Sequence, residues 1–142
     1  MKHIHILLVE DNEGDILLTT EALEEGKIIN DVSVARDGEE AIDFLNKRGV
    51  FSDASTPDLI LLDVNLPKMN GHEVLEYIKS TEHLKHIPVI ILTTSSSHKD
   101  ILHAYKNFAN AYITKPVDVD DFIKVLTTVE DFWIGIVQLP SN

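Results

Sequence analysis

Residues 58–67 read DLILLDVNLP, four consecutive aliphatic side chains closed by an aspartate. Leu59, Ile60, Leu61 and Leu62 show no alternation of apolar and polar residues, the pattern of a strand buried on both faces of a parallel sheet. Asp63 therefore stands at the rim of a core, where a carboxylate needs a partner or a metal to offset its lost hydration. An isolated aspartate in this place is most often a turn residue. Whether Asp63 is more depends on what ends the other strands.

Working outward, four further short apolar runs alternate with segments of helical period: Ile4 to Val9, Asp31 to Ala35, Val89 to Leu92 and Ala111 to Ile113. Between them Ile16, Leu17, Thr20 and Leu23 recur at helical spacing, as do Ala41, Ile42 and Leu45, then Val74, Leu75 and Ile78, then Ile101, Leu102 and Tyr105. A last helical stretch runs from Val119 through Phe122, Ile123 and Leu126. Five strands alternating with helices predict an α/β protein with right-handed crossovers and helices on both faces of a doubly wound parallel sheet. The strand order 2-1-3-4-5 is taken from the precedent of such sheets, which places ligands beyond the strand carboxyl ends where the order reverses, between strands 1 and 3.

At those ends, Glu10, Asp11 and Asn12 follow the first strand and Asp63 follows the third. Carboxylates this close raise one another's pKa unless a cation neutralises them. The candidate ligands are all oxygens, which suits Mg²⁺ or Mn²⁺ and disfavours zinc. Thr93 leaves the fourth strand, and Thr114, Lys115 and Pro116 leave the fifth. A hydroxyl and an ammonium at the same rim are what a tetrahedral oxyanion needs beside a metal. Ser97-His98-Lys99-Asp100 fits a helix cap, and Ser95 to Ser97 are assigned to that loop.

The motifs LLVEDN at 7–12, DLILLDVNLPKMNG at 58–71, PVIILTT at 88–94 and AYITKP at 111–116 together resemble the receiver domain of two-component response regulators, over roughly residues 4–128. The resemblance implies the flavodoxin-like receiver fold, Asp63 as phosphoacceptor and Glu10 and Asp11 as the acidic pair for Mg²⁺, with Asn65 offering its backbone carbonyl. It implies Thr93 as the switch hydroxyl, Lys115 as the conserved lysine, Tyr112 as the switch aromatic and a cis peptide before Pro116. It further implies a sensor histidine kinase or a histidine phosphotransfer protein as partner, and no enzymatic activity beyond assistance to its own phosphorylation and dephosphorylation. The chain departs from the family where NFANAY, with Phe108, replaces a pattern like LGANAY. The lengthened loop from Lys47 to Pro57 and the tail DFWIGIVQLPSN are similar to the small stand-alone regulators found with bacterial phytochromes, which makes a phytochrome-type photoreceptor kinase the expected partner.

Composition narrows the alternatives. A chain of 142 residues fits one domain, here 1–142, with a core of about 4–128 and an extension over 129–142. Its 24 acidic against 12 basic residues give a net charge of -12, which opposes nucleic-acid binding. Absence of cysteine removes disulfides and thiolate chemistry. No apolar run reaches the length of a signal peptide core or a membrane span, so a cytoplasmic protein is expected. Val119, Phe122, Ile123, Leu126, Val129, Trp133 and Val137 form an apolar stripe wider than one side of a sheet covers, so either the tail folds back on its own core or it makes a homodimer contact, and the homodimer is the expectation. The seven histidines show no ligand spacing and are assigned to surface or packing.

Two other classes fare worse. An aspartate-nucleophile phosphohydrolase wants a second acid two residues after Asp63, where Asn65 stands. A flavin binder wants a phosphate-welcoming loop after the first strand, where VEDNEGD is acidic. A receiver-like module that binds partners without phosphorylation is the remaining alternative. With no output domain expected, the signal leaves through protein contacts.

Overall fold

The computed structural model describes residues 4–24, 30–94 and 97–115, together with 120, 121, 124, 127 and 128. Its elements run β1 (Ile4–Val9), α1 (Glu13–Glu24), β2 (Asn30–Ala35), α2 (Gly38–Leu45), a 3₁₀ turn (Gly49–Phe51), β3 (Leu59–Leu62), α3 (Gly71–Ser80), β4 (Val89–Thr93), α4 (His98–Lys106) and β5 (Ala111–Thr114). The five strands form one sheet in the order β2-β1-β3-β4-β5, every pair parallel, as expected for the doubly wound fold.

The unbroken apolar runs are explained by two cores. Leu7, Val9, Ile60, Leu62, Val89 and Ile91 face α2 and α3 through Ala41, Ile42, Phe44, Leu45, Val74, Leu75 and Ile78. Ile6, Leu8, Leu59, Leu61 and Ile90 alternate with them and face Ile16 and Leu23 of α1. Each central strand thus buries successive side chains on opposite sides of the sheet.

Local chemistry sets where the helices begin. Asn12 accepts the Asp15 amide at 2.9 Å at the start of α1, and Asp37 accepts the Glu40 amide at 2.7 Å. Asn70 and Glu73 make a capping box on α3, and Ser97 caps α4 through the Asp100 amide at 3.0 Å, as its sequence predicts. The long loop after α2 folds into the 3₁₀ turn, anchored by the Phe51 ring edge-on to Phe44 at 5.4 Å.

Phe108, at the departure from the family pattern, lies at φ 66° and leaves 74% of itself exposed just after α4. A bulky residue is strained in this left-handed region, where glycine fits freely. Asp120, Asp121, Lys124, Thr127 and Thr128 are helical, with the Thr128 hydroxyl donating to the Lys124 carbonyl. The peptide before Pro116, most of the expected fifth helix and the tail with Trp133 and Val137 lie outside the described residues.

Candidate functional site

The parallel register brings the ends of four strands to one rim: Val9 pairs with Leu62, and Thr93 with Thr114. The next residues are Glu10, Asp63 and Lys115. Each is tied to the neighbouring strand by its backbone, the Asp63 amide donating to the Val9 carbonyl at 3.0 Å, the Glu10 amide to the Ala35 carbonyl at 3.0 Å and the Lys115 amide to the Thr93 carbonyl at 2.6 Å. α3 closes in behind. A Cβ on Gly71 would stand 2.2 Å from the Asp63 carbonyl oxygen and 2.5 Å from Val64 Cα, so only glycine allows this approach.

Both oxygens of Asp63 are engaged. Oδ1 accepts from Thr93 Oγ1 at 2.8 Å and from the Asn65 amide at 2.9 Å, while Oδ2 faces Lys115 Nζ at 3.2 Å. Lys115 Nζ also reaches Asp15 at 3.0 Å and makes a short ion pair with Glu10. The other Glu10 oxygen, Oε2, accepts the Asp11 amide at 3.0 Å. Glu10, Asp63, Thr93 and Lys115 are all buried, Glu10 to 2% exposure and Thr93 completely.

Glu10, Asp15 and Asp63 surround one ammonium, so the cluster carries excess negative charge. Burial pushes the Glu10 carboxyl up to about 7, and the charge of Asp63 adds to this, against the opposing pull of the Lys115 hydrogen bond. Burial alone would lower Lys115; its bonds to Glu10 and the charge of Asp63 outweigh that and raise it above the usual lysine range.

Of the residues singled out in the sequence, Thr93 touches Asp63, Asp63 faces Lys115 and Lys115 pairs with Glu10, so the four form one connected cluster. Asp11 is exposed beside them, and Asn65 meets Asp63 through its amide. Tyr112 is half-buried one strand away, opposite Ile91, with its amide donating to the Tyr105 hydroxyl at 3.2 Å. The donors Glu10, Asp11, Asp63 and the Asn65 carbonyl are all hard oxygens, which fits a small divalent cation. As the side chains are placed, no three histidine or acidic residues among the described ones are gathered to hold an ion, and Lys115 supplies the neutralising charge.

Sequence reading missed Asp15 as a third partner of Lys115, and it missed His72. His72 Nε2 lies 3.0 Å from Asp100 Oδ1 across 28 residues of chain, a separation with no local signal.

The response regulator receiver domain family matches residues 6–127. The chain belongs to this family. As a receiver it is a response regulator of two-component signalling, in a family that binds a divalent metal and whose members are generally not enzymes in the ordinary sense. The receiver is 42% identical over 136 residues to response regulator Rcp1 of Synechocystis sp., covering 96% of this chain and 92% of that one. Its fold matches the phosphorylated cyanobacterial phytochrome response regulator RcpA with a TM-score of 0.96 at 46% identity, over 99% of this chain and 100% of that one. The Mn²⁺-bound form of Rcp1 matches with a TM-score of 0.94 at 41% identity, over 97% and 99% of the two chains. No helix among the described residues of the receiver is long and apolar enough to cross a membrane.

Proposed function

We propose that Asp63 is the phosphoacceptor, taking the phosphoryl group from a phosphohistidine of a sensor histidine kinase. The observation that carries this reading is the convergence of Thr93 Oγ1 and Lys115 Nζ on the two oxygens of Asp63 at 2.8 and 3.2 Å, at a rim where Asp63 is buried yet reachable. One Asp63 oxygen attacks phosphorus, the P–N bond to the donor imidazole breaks, and the imidazole leaves with the bonding pair. Lys115 then faces one phosphoryl oxygen and Thr93 donates to another. These groups position and neutralise charge, which is most of what a protein contributes to phosphoryl transfer.

Glu10, Asp11, Asp63 and the Asn65 carbonyl are the residues that would hold Mg²⁺, with Mn²⁺ as a substitute. When bound, the cation supplies further neutralisation of phosphoryl oxygens. Turning the cluster from a lysine-clamped to a cation-holding form requires Glu10 to be ionised.

Thr93 and Tyr112 act as the switch: a threonine held by the phosphoryl group leaves space that the aromatic ring occupies, shifting a pre-existing equilibrium of the α4–β5 surface. Thr93→Ala should uncouple partner affinity from phosphorylation; an undiminished response would end this reading. The chain works as a single cytoplasmic receiver domain with its core at about 4–128, assisting only its own phosphorylation and dephosphorylation. The likeness to Rcp1 and RcpA supports a phytochrome-type kinase as donor, or a histidine phosphotransfer protein as relay partner, and the tail 129–142 serves a homodimer contact.

The test is intact mass after incubation with acetyl phosphate, with and without Mg²⁺. One Mg²⁺-dependent phosphoryl adduct, absent in Asp63→Asn, is expected. A folded, Mg²⁺-binding chain without the adduct would instead be a phosphorylation-independent binding module.

A further inference from the structure

α4 is held to the body of the protein by little apolar burial, since Ala104 is its one buried residue among the described ones. It is attached to α3 by a polar contact in its first turn and a ring contact further along. His72 Nε2 donates to the Asp100 carboxylate at 3.0 Å, and the His72 ring stands edge-on to His103 with centroids 4.5 Å apart. The other ring nitrogen of His72, Nδ1, is buried and has no partner among the described residues, so the ring's placement depends on the Nε2 contact.

Both ends of this contact sit on segments fixed to the site. His72 follows Gly71, which lies directly against the Asp63 backbone and donates its amide to the Val64 carbonyl at 2.9 Å. Asp100 is locked into the first turn of α4 by the Ser97 cap, and residues 94–97 connect that turn to Thr93 at the end of β4. Val64, Asn65, Leu66, Asn70, His72 and Asp100 line one groove between the two segments. The contact therefore bridges the backbone that carries Asp63 and the backbone that follows Thr93.

We propose that His72 is a positioning residue, whose hydrogen bond to Asp100 holds the first turn of α4 against the phosphoacceptor segment and sets how far α4 responds when Asp63 is phosphorylated. This rests on the reading of Asp63 as phosphoacceptor and Thr93 as switch. With the bond in place, α4 responds to a shift at Thr93 from a defined starting position. Without it, α4 is loosened before any phosphoryl group arrives, and less change remains for phosphorylation to produce.

The experiment is amide hydrogen exchange of the full chain before and after acetyl phosphate with Mg²⁺, alongside intact mass. In the unphosphorylated chain, His72→Ala should speed exchange across α4 by about fivefold, the order expected for one partly exposed hydrogen bond to a charged acceptor. His72→Gln, which keeps a donor in reach of Asp100, should restore the slower rate. Asp100→Ala should speed α4 exchange less in the His72→Ala background than in the wild type, because the contact the two residues share is already gone there. The phosphorylation-dependent change in α4 exchange should shrink in His72→Ala while the mass adduct forms as in the wild type, since His72 is not among the partners of Asp63. Unchanged α4 exchange in His72→Ala, acceleration spread equally over all elements, or failure of His72→Gln to restore it would overturn the proposal. A wild type without adduct would refute the phosphoacceptor reading instead, with the basal exchange comparison still deciding the contact.

Discussion

Lys115 is the one cation that the described structure places among Glu10, Asp15 and Asp63, and replacing it by methionine tests how those charges are held. Methionine keeps most of the side-chain volume, so the loss is one of charge and hydrogen bonds rather than packing. Removing one partner from a buried ion pair typically costs about 3–5 kcal/mol. Here the carboxylates have an escape, because Glu10 is already pushed up to about 7 and can take a proton. Losing Lys115 removes the interactions that pull Glu10 down, so its pKa in the variant lies higher still.

Below pH 7 both proteins hold Glu10 protonated, and the difference in stability is flat. Above pH 7 the wild type has released this proton while the variant keeps it. The native variant then binds one proton more than its unfolded state, and its stability falls by about 1.4 kcal/mol per pH unit relative to wild type. Between pH 7 and 8.5 the deficit should widen by roughly 2 kcal/mol. Urea unfolding of both proteins at pH 6, 7, 8 and 8.5, without divalent cations, reads this directly. A deficit below about 1 kcal/mol throughout, or one that does not widen above pH 7, would refute the account of Lys115 as the counter-charge of a crowded carboxylate cluster.

Asp63→Asn should form no phosphoryl adduct by intact mass and gain roughly 1 kcal/mol at pH 8, because one like charge leaves the cluster. Gly71→Ala should lose about 1–3 kcal/mol in urea unfolding and slow adduct formation, since the new methyl meets backbone atoms of Asp63 and Val64 that have no room to yield. In the wild type without divalent cations, the native state binds the Glu10 proton up to about pH 7 whereas the unfolded state releases it near the ordinary 4.5. Stability should therefore decline as pH rises from about 4.5 to 7, by on the order of 3 kcal/mol from this group. Added Mg²⁺ should stabilise the protein more at pH 8 than at pH 6, because Glu10 must be ionised to serve as a ligand; equal stabilisation at the two values would count against Glu10 as a ligand.

The parts legible in the sequence are those whose physics is local or periodic. The unbroken run Leu59 to Leu62 marks a strand with two buried faces, and the structure buries all four residues, split between two cores. Strand ends were equally legible, because a parallel register lines up the residues that follow each strand, and Glu10, Asp63, Thr93 and Lys115 are found in contact at that rim. What composition could not show is how the charges are shared. A cluster of carboxylates suggests a cation, yet whether that cation is a metal or a lysine depends on side-chain placement over 105 residues of separation, as between Glu10 and Lys115. Asp15 was hidden for another reason: it occupies the first turn of α1, where an acidic residue has an ordinary explanation in the helix dipole.

Phe108 was visible as a departure but not as a conformation. Its side chain gives no hint that the backbone turns left-handed, a geometry costing on the order of 1–2 kcal/mol for a residue with a Cβ. Two hydrogen bonds show why the chain takes that turn: the Ala109 amide returns to the Ala104 carbonyl at 3.0 Å and the Asn110 amide to Val89 at 2.8 Å. The first ends α4, and the second starts β5 beside β4. The position demands a glycine-like turn because the amide that closes the helix and the amide that opens the strand pairing are on consecutive residues, and those bonds hold phenylalanine there against its preference. By the same logic the structure would be relieved, not damaged, by Phe108→Gly, with a gain of up to about 1 kcal/mol in urea unfolding offset in part by the greater freedom of glycine in the unfolded chain. A clear loss of stability instead would mean that the exposed ring makes a contact worth more than the strain.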